Sequence, residues 1–349
     1  MPNKVYIIIV NWNGWRDTIE CLESVCRNDY PDFQVVVCDN DSTDGSLDRI
    51  KEWAAGRLCA SSADGPPCRS FTTPAIPKPI QFVELDRAQA EAGGHTRAPD
   101  VPLALIRTGG NLGFAGGNNV GLRYALARDD FAYAWLLNND TVIPPDALVA
   151  LVSRMQERPD AGQCGSRLLF YEAPNEVQAL GGASYNRWFA LTRHIGAFSS
   201  ADRPVDISEI ESRMDYVVGA SLLVSRSFLL DIGLMNEDYF LYSEEIDWAT
   251  RARGRYDIAY AHNSVVYHKE GRSIGSSSSA AQKSRFADSY GIRNRIRFTR
   301  IYYPLALPTV YLGLVVAIAN RLRRGQPERV LDILRIIFSS DGSPPNAPH

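Results

Sequence analysis

Two acidic residues follow apolar stretches of the sequence in a way that predicts a ligand crevice. Asp39 comes after the apolar run 34–38, and Asp140 closes the run Tyr-Ala-Trp-Leu-Leu-Asn-Asn-Asp at 133–140. Apolar runs of this length that end on polar groups are typical of buried parallel strands. Because ligands of open α/β sheets bind at the carboxyl ends of the strands, both carboxylates are predicted to face one crevice.

The chemistry predicted for these side chains is nucleotide and cation binding. Asp39 is expected to accept a hydrogen bond from a base or a ribose. A carboxylate oxygen beside a diphosphate is the usual setting of Mg²⁺ or Mn²⁺, so Asp140 is the candidate cation ligand. Its neighbours Asn138 and Asn139 supply neutral amides that can orient a phosphate or a sugar. The alternative for Asp140 is a strand-end residue that only caps the next helix.

Three further acids, Glu244, Glu245 and Asp247, stand just before a predicted helix. Acids that crowd one another raise each other's pKa, which suits a general base. The alternative is that acids at a helix start only complement its dipole, which would account for Glu244 or Asp247. His268, at the end of a predicted strand, is a structural residue unless a metal site lies beside it.

A glycine-rich turn covers 109–121, Gly-Gly-Asn-Leu-Gly-Phe-Ala-Gly-Gly-Asn-Asn-Val-Gly. Glycines at this spacing predict a close approach between the backbone and a ligand, and a purely structural need explains them equally well. The turn is not the dinucleotide-binding Gly-x-Gly-x-x-Gly pattern, and it follows the third predicted strand rather than the first.

The predicted elements that would position these residues alternate between strand and helix. Strands at 5–10 and 34–38, each followed by a helix, predict right-handed crossovers and a doubly wound parallel sheet. Residues 56–100 are rich in Gly, Pro, Ser and Ala and are predicted to be a partly mobile insertion without regular elements. Residues 171–213 are predicted to be loop-like.

Composition narrows the class of protein. The formal charge of -3 gives no electrostatic reason to expect nucleic-acid binding. The six cysteines lack metal or redox spacing and are predicted to be reduced thiols of a cytoplasmic protein, with Cys59 and Cys68 exposed. The amino-terminal apolar run is too short for a signal peptide and is predicted to be the first strand.

The carboxy-terminal part of the chain is basic and partly apolar. Residues 290–330 contain eight Arg and one Glu. Pro308 is predicted to interrupt the apolar run, which leaves 310–319, about half of the roughly 20 residues that a bilayer requires. We therefore expect either a closing helix packed on the sheet or a helix that docks on anionic lipid.

Seven short segments occur in order along 4–300, apart from the insertion: Ile9-Val-Asn-Trp-Asn-Gly, Cys38-Asp-Asn-Asp-Ser-Thr-Asp-Gly-Ser, Asn111-Leu-Gly-Phe-Ala-Gly-Gly-Asn-Asn, Leu137-Asn-Asn-Asp-Thr, Phe240-Leu-Tyr-Ser-Glu-Glu-Ile-Asp, Val266-Tyr-His and Arg293-Asn-Arg. In this order they resemble the family 2 glycosyltransferases of GT-A fold, in particular the bacterial rhamnosyltransferase-like branch. The resemblance implies a Rossmann-like, mostly parallel sheet flanked by helices, with a carboxy-terminal helical extension.

The resemblance also implies roles for individual residues. Glu245 is the implied catalytic base, one methylene longer than the usual aspartate, with Glu244 and Asp247 beside it. Asp140 and His268 are the implied ligands of Mg²⁺ or Mn²⁺, and Asn138 replaces the first acid of the family's Asp-x-Asp motif, so a weaker metal site is expected. The residues implied to bind the donor nucleotide-diphosphate sugar are Asn11, Asp39, Asn111, Gly113, Phe114, Asn118, Asn138 and Asn139.

The implied activity is an inverting, metal-dependent transfer of rhamnose or a similar sugar to a hydroxyl of a glycan or polyprenyl-linked saccharide. It belongs to cell-surface polysaccharide synthesis, in the cytoplasm or at the inner face of the plasma membrane. The expected domains are a catalytic unit at 1–285, with a nucleotide-binding half to 140 and an acceptor half from 141, and an extension at 286–349 with a disordered end. The alternatives are a non-catalytic sugar- or membrane-binding protein and a sugar-phosphate nucleotidyltransferase.

Overall fold

The computed structural model describes residues 3–59, 67–94, 101–269 and 284–338. The strands are β1 (Val5–Asn11), β2 (Phe33–Asp39), β3 (Phe82–Asp86), β4 (Leu103–Arg107), β5 (Tyr133–Leu137), β6 (Thr141–Val142), β7 (Ala161–Phe170), β8 (Val177–Leu180), β9 (Gly182–Asn186), β10 (Leu191–His194), β11 (Tyr216–Val217), β12 (Ser221–Ser225) and β13 (Asp257–His268). The helices are α1 (Trp15–Val25), α2 (Ser46–Ala54), α3 (Arg87–Glu91), α4 (Gly113–Arg128), α5 (Ala147–Glu157), α6 (Ile207–Ser212), α7 (Arg226–Ile232), α8 (Glu244–Ala252), α9 (Arg285–Tyr302), α10 (Leu307–Arg323) and α11 (Pro327–Phe338).

One large mixed sheet carries the fold, in the order β3-β4-β2-β1-β5-β12-β7-β13-β6, with β8 beside β7. The amino-terminal strands β1 to β5 pair in parallel, and β12 and β6 are antiparallel to their neighbours. Alternate residues of β1 enter two separate apolar cores, Ile7 on one face of the sheet and Ile8 on the other. The predicted α/β sheet with helices on both faces is therefore confirmed.

Outside α4 and the carboxy-terminal helices, three predictions about local structure are wrong. Residues 82–91, inside the predicted insertion, form the edge strand β3 and the capped helix α3. Residues 177–194, predicted to be loop, form β8, β9 and β10, of which β9 and β10 belong to a small separate sheet. Cys68 is buried rather than exposed, and burial raises the pKa of its thiol to about 12. The rest of the predicted insertion at 60–66 and 95–100, and the predicted disordered end at 339–349, lie outside the described residues.

The glycines of 113–121 mainly serve helix packing rather than the approach of a ligand. They belong to α4 and not to a turn. A Cβ at Gly117 would lie 2.8 Å from Val10 Cγ1, and one at Gly121 would lie 2.6 Å from Ile8 Cγ2. The absence of side chains thus lets α4 rest directly on β1 and β2. At Gly109 and Gly110, in contrast, a Cβ would have no neighbouring atom within 4 Å, so this part of the backbone is free to face a ligand.

Replacing Gly121 by valine is expected to lower the free energy of unfolding by about 1–3 kcal/mol, because the branched side chain must push α4 off Ile8. Chemical denaturation measures this change. Gly110→Val is the matched control, since open space surrounds that position. Equal stability of the two variants would contradict the packing role of Gly121.

The apolar carboxy-terminal helix is longer than the sequence predicted. Pro308 lies in the first turn of α10, where proline fits, and does not interrupt the helix. By length and composition, Pro304–Arg323 is the one helix among the described residues that is able to cross a membrane. Helix α10 packs on α9 and α11, with Leu314 against Ile292 and Ile333, rather than on the large sheet.

Candidate active site

A hydrogen-bonded chain of side chains crosses the carboxyl edge of the sheet from β2 to β5. The amide Nδ2 of Asn11 donates to Asp39 Oδ1 at 2.7 Å. Thr18 Oγ1 donates to Asn11 Oδ1 at 2.7 Å, and Asn139 Nδ2 donates to Thr18 Oγ1 at 3.0 Å. This chain brings the predicted nucleotide-binding residues of two strand ends onto one edge, as the parallel sheet requires.

An open cavity of about 190 Å³ lies beside Asp39. Its lining includes Ser42, Arg107 and Gly109. Ser42 donates to the Asp39 carboxylate from both its backbone N–H and its hydroxyl. The carboxylate thereby lines a polar cavity whose walls also carry the cationic side chain of Arg107, the acids Asp41 and Asp48 and the open backbone of Gly109. Hydrogen-bond acceptors beside a guanidinium suit the polar groups of a nucleoside.

Asp140 and His268 meet at the end of β5. Strand β6 pairs antiparallel with β13, which sets His268 opposite Thr141, the residue after Asp140. As a result His268 Nε2 lies 3.2 Å from Asp140 Oδ1 and 3.4 Å from Asn138 Nδ2, and both Asp140 and His268 are almost fully buried. The prediction that a strand-end acid and a distant imidazole converge here agrees with this geometry.

The hydrogen bond to the other ring nitrogen of His268 determines which nitrogen is available to a cation. His268 Nδ1 lies 2.9 Å from the side-chain oxygen Oε1 of Gln178, which can only accept a hydrogen bond. His268 therefore carries its proton on Nδ1 when neutral and directs the lone pair of Nε2 toward Asp140. Gln178 lies on β8, a strand that the sequence did not predict.

The pair of side chains fits a divalent cation that completes its coordination elsewhere. Two ligands of an octahedral cation at about 2.1 Å lie about 3 Å apart when they are adjacent, close to the separation of Asp140 Oδ1 and His268 Nε2. No cluster of three or more His, Cys, Asp or Glu side chains surrounds such a position within the described ranges. The remaining ligands would then be phosphate oxygens and water, as is common for Mg²⁺.

Glu245, in the first turn of α8, lies close to this edge of the sheet. A Cβ at Gly219 would lie 2.3 Å from Glu245 Oε1 and 3.0 Å from the Phe114 ring. The backbone N–H of Gly219 donates to the Glu245 carboxylate, and the next residue, Ala220, accepts a hydrogen bond from Asn138 N at 3.1 Å. The segment at 219–220 therefore links Glu245 to the turn at 138–140 through two hydrogen bonds. Glu245 also lies beside Phe114 at the start of α4.

Burial sets the protonation of the two adjacent glutamates. Burial raises the pKa of Glu245. Burial, reinforced by the negative charge of Glu245, raises the pKa of Glu244 well above its ordinary value. Glu244 is 1% exposed, and no hydrogen-bond partner for its Oε2 exists among the described residues. We infer that Glu244 is a neutral neighbour, whereas the half-buried Glu245 is the carboxylate that a substrate can reach.

Asp247, the third predicted acid, is fully engaged by protein groups. Its Oδ1 accepts hydrogen bonds from the hydroxyls of Tyr239 and Tyr302, and its Oδ2 accepts one from Arg251 Nε at 2.9 Å. The side chain is 2% exposed. We infer that Asp247 anchors α8 to its neighbours and does not take part in proton transfer.

Three more of the predicted nucleotide-binding residues have structural partners around the start of α4. The Asn118 amide donates to Phe114 O inside α4 at 2.9 Å. Gly113 has a positive φ of 69°, and a Cβ there would lie 2.2 Å from Phe240 O, so only glycine fits against the loop that precedes α8. Asn111 accepts a hydrogen bond from Gly113 N at 3.1 Å and holds this turn.

The model of glycosyl transferase family 2 matches residues 6–67 and 86–203, just over half of the 349 residues. The chain belongs to glycosyl transferase family 2. Asn11, Asp39 and Asp140 lie within the matched ranges, and Glu245 and His268 lie beyond them.

Two named relatives are similar to part of the chain. A Haloferax volcanii protein named low-salt glycan biosynthesis hexosyltransferase Agl10 is 29% identical over 175 residues, which cover 50% of this chain and 53% of that protein. The chain thus spans about half the length of this relative. A Mycobacterium tuberculosis protein named N-acetylglucosaminyl-diphospho-decaprenol L-rhamnosyltransferase is 22% identical over 58% of this chain and 70% of that protein.

A solved structure also has a similar fold. The mannosyltransferase PcManGT of Pyrobaculum calidifontis, in complex with GDP-Man and Mn²⁺, superposes with a TM-score of 0.51 at 16% identity, over 91% of this chain and 77% of that one. At this identity the likeness concerns the fold alone, and it agrees with the predicted GT-A architecture.

The sequence analysis missed a buried amide that holds the loop before Glu245. Phe240, Tyr242 and Ser243, just before Glu245, all have positive φ angles between 61° and 75°. Asn294 of α9 is fully buried, and its amide donates to three carbonyls of this loop, those of Tyr239, Leu241 and Tyr242, at 2.8 to 2.9 Å. Non-glycine residues adopt such φ angles only where the surroundings hold them. The only signal in the sequence was the segment Arg293-Asn-Arg, which carried no assigned role.

Proposed function

We propose that the protein is an inverting glycosyltransferase that moves a sugar from a nucleotide-diphosphate sugar to a hydroxyl of a glycan or lipid-linked saccharide. The observation that supports it is the convergence on one sheet edge of the Asp39 cavity, the Asp140 and His268 pair and the half-buried carboxylate of Glu245. Each of the three supplies one requirement of the reaction: nucleotide recognition, a place for the diphosphate, and a proton acceptor.

The reaction we propose is a single displacement. The acceptor oxygen forms a bond to the anomeric carbon from the face opposite the leaving nucleoside diphosphate, whose bond to that carbon breaks with its electron pair. Glu245 takes the proton of the acceptor hydroxyl as the new bond forms. Asp140 and His268 would hold Mg²⁺ or Mn²⁺, which when bound offsets the negative charge that collects on the leaving diphosphate.

The two halves of the catalytic unit divide the substrates in this proposal. Residues 1–140, with Asn11, Asp39 and Asn139, bind the donor nucleotide. Residues 141–285, with Glu245, face the acceptor. The names of the two curated relatives favour a hexose or rhamnose as the sugar and a polyprenyl-diphosphate saccharide as the acceptor, hence cell-surface polysaccharide synthesis. Such a substrate would place the enzyme in the cytoplasm, at the inner face of the plasma membrane.

Turnover of donor sugars tests the proposal. The purified protein is incubated with UDP-, dTDP- and GDP-sugars, with and without Mn²⁺, and the release of nucleoside diphosphate is measured. We expect slow hydrolysis of one donor class, stimulated by Mn²⁺. A protein that binds a donor in a thermal-shift assay and never hydrolyses or transfers it would instead be a non-catalytic sugar-binding protein.

The contact between Gln178 and His268 predicts an effect on metal affinity. Gln178→Leu removes the acceptor for His268 Nδ1, so the ring loses its fixed tautomer and orientation, and we expect the Mn²⁺ concentration for half-maximal activity to rise about 10- to 100-fold. Gln163→Leu is the matched control, because Gln163 is also buried, on β7 of the same sheet. An unchanged Mn²⁺ requirement in the Gln178 variant would remove His268 from the metal site.

A further inference from the structure

Helix α10 exposes an apolar stripe along one side, which begins at Leu305 in the turn just before it. Leu305, Leu312, Val315, Val316 and Leu322 are between 57% and 86% exposed. Within α10, Val315, Val316 and Leu322 follow Leu312 by 3, 4 and 10 residues, which keeps the four on one face of a helix with 3.6 residues per turn. The face toward solvent is therefore the apolar one, the reverse of a helix on the surface of a soluble protein.

The opposite face of α10 packs against α9 and α11. Leu314 is buried with Ile292 and Ile296 of α9 and Ile333 of α11. Arg321 near the end of α10 forms an ion pair with Asp288 of α9 at 2.6 Å. A helix anchored in this way along its length lies flat on its neighbours, so its apolar side faces outward as a strip.

The tip of the β9–β10 hairpin extends this strip. Trp188 and Phe189 are 50% and 45% exposed. Thr309 Oγ1, in the first turns of α10, donates to the backbone oxygen of Trp188, and Arg295 Nη2 of α9 donates to that of Phe189 at 2.5 Å. Two exposed aromatic rings from a separate part of the chain are thereby fixed at the amino-terminal end of α10. We call the stripe of α10 and these two aromatic residues the docking face.

Exposed arginines flank both ends of the docking face. Residues 285–338 contain ten Arg and three acids in a chain whose formal charge is -3. Arg300 lies just before the turn into α10, and Arg323 and Arg324 lie at its end, all three exposed. Apolar groups with tryptophan at one level and arginines at the margins match the layered chemistry of an anionic lipid leaflet.

We propose that the docking face binds the surface of an anionic lipid bilayer, with α10 in the plane of the leaflet. A spanning arrangement of α10 would instead strip Leu314 and Arg321 from their partners on α9 and α11. The proposed function supplies only the biological reason for this binding, because a lipid-linked acceptor would be presented at the bilayer surface. The binding itself depends on no catalytic residue.

Vesicle co-sedimentation tests the docking face in the full-length protein. Vesicles of phosphatidylcholine and phosphatidylglycerol in equal parts are compared with pure phosphatidylcholine. We expect binding to the anionic vesicles that alkaline carbonate reverses. Leu312→Ser with Val316→Ser is expected to weaken the partition coefficient at least about tenfold, since two exposed apolar side chains lose their insertion. Leu230→Ser, at an equally exposed leucine of α7, is the matched control and is expected to bind as the native protein does.

Several outcomes would overturn the proposal. Equal sedimentation of the native protein and the double variant would do so, as would resistance to carbonate extraction, which indicates a spanning helix. Absence of vesicle binding, together with self-association that the double variant abolishes, would assign the face to a second copy of the chain. Should the double variant melt at a lower temperature than the control, Trp188→Ser with Phe189→Ser replaces it. Donor hydrolysis on the same preparations separates the two proposals, because vesicle binding without hydrolysis refutes only the proposed function.

Discussion

Replacing Glu245 by glutamine is expected to lower kcat by about 10²–10⁴-fold, because the amide cannot accept the proton of the acceptor hydroxyl. The affinity for the donor should stay within about twofold, since the Asp39 cavity and the Asp140 and His268 pair are untouched. Steady-state transfer kinetics, together with donor binding by calorimetry, measure both quantities. A Glu245→Gln enzyme with near-native kcat would assign the base to another group.

Glu244→Gln is the matched comparison for this variant. Burial and the neighbouring charge raise the pKa of Glu244, and a neutral amide resembles the protonated acid, so we expect activity within about tenfold of the native enzyme. The pH dependence has a definite sign. Because burial raises the pKa of Glu245, its base form is lost as the pH falls through that raised value. The acid limb of kcat/KM should therefore lie above the ordinary pKa of a glutamate.

Replacing Asp140 by alanine is expected to weaken binding of Mn²⁺ and donor together and to lower kcat/KM by at least about 10²-fold. The physical reason is the loss of the carboxylate that faces His268 and would hold the cation against the leaving diphosphate. Raising the Mn²⁺ concentration should restore part of the activity. This rescue distinguishes a lost ligand from a distorted fold.

Glu157→Gln serves as the control for Asp140, because Glu157 is an acid on the surface of α5 with an exposed side chain. We expect it to retain the native Mn²⁺ and donor affinities. If Asp140→Ala also retained both, the cation would bind elsewhere.

Most strands of the nucleotide-binding half and their common edge could be predicted from apolar runs in the sequence. Apolar runs that end on Asp39 and Asp140 identified two strand ends on one edge, and the hydrogen-bonded chain through Asn11 and Thr18 connects them. An apolar run identifies a strand from neighbouring residues alone. The right-handed crossover rule then makes successive strands parallel, so their carboxyl ends lie on the same edge of the sheet.

Features that depend on long-range contacts were not predictable. Gln178 orients His268 across 90 residues, and Asn294 holds the loop before Glu245 across more than 50. Neither position has a local sequence signature, because an amide that will be buried cannot be told in the sequence from one that is exposed. Edge strand β3 was missed because only one of its five residues, Leu85, is buried, so the alternation that marks a half-buried strand is weak.

A crystal structure with Mn²⁺ and a nucleoside diphosphate would show whether Asp140, His268 and Glu245 serve one bound sugar nucleotide. UDP, dTDP and GDP are soaked in turn, and the manganese is located by its anomalous scattering. We expect a manganese peak bound by Asp140 and His268, a base in the Asp39 cavity, and the Glu245 carboxylate facing the open side of the diphosphate. A manganese peak or nucleotide seated away from Asp140 and His268 would contradict it.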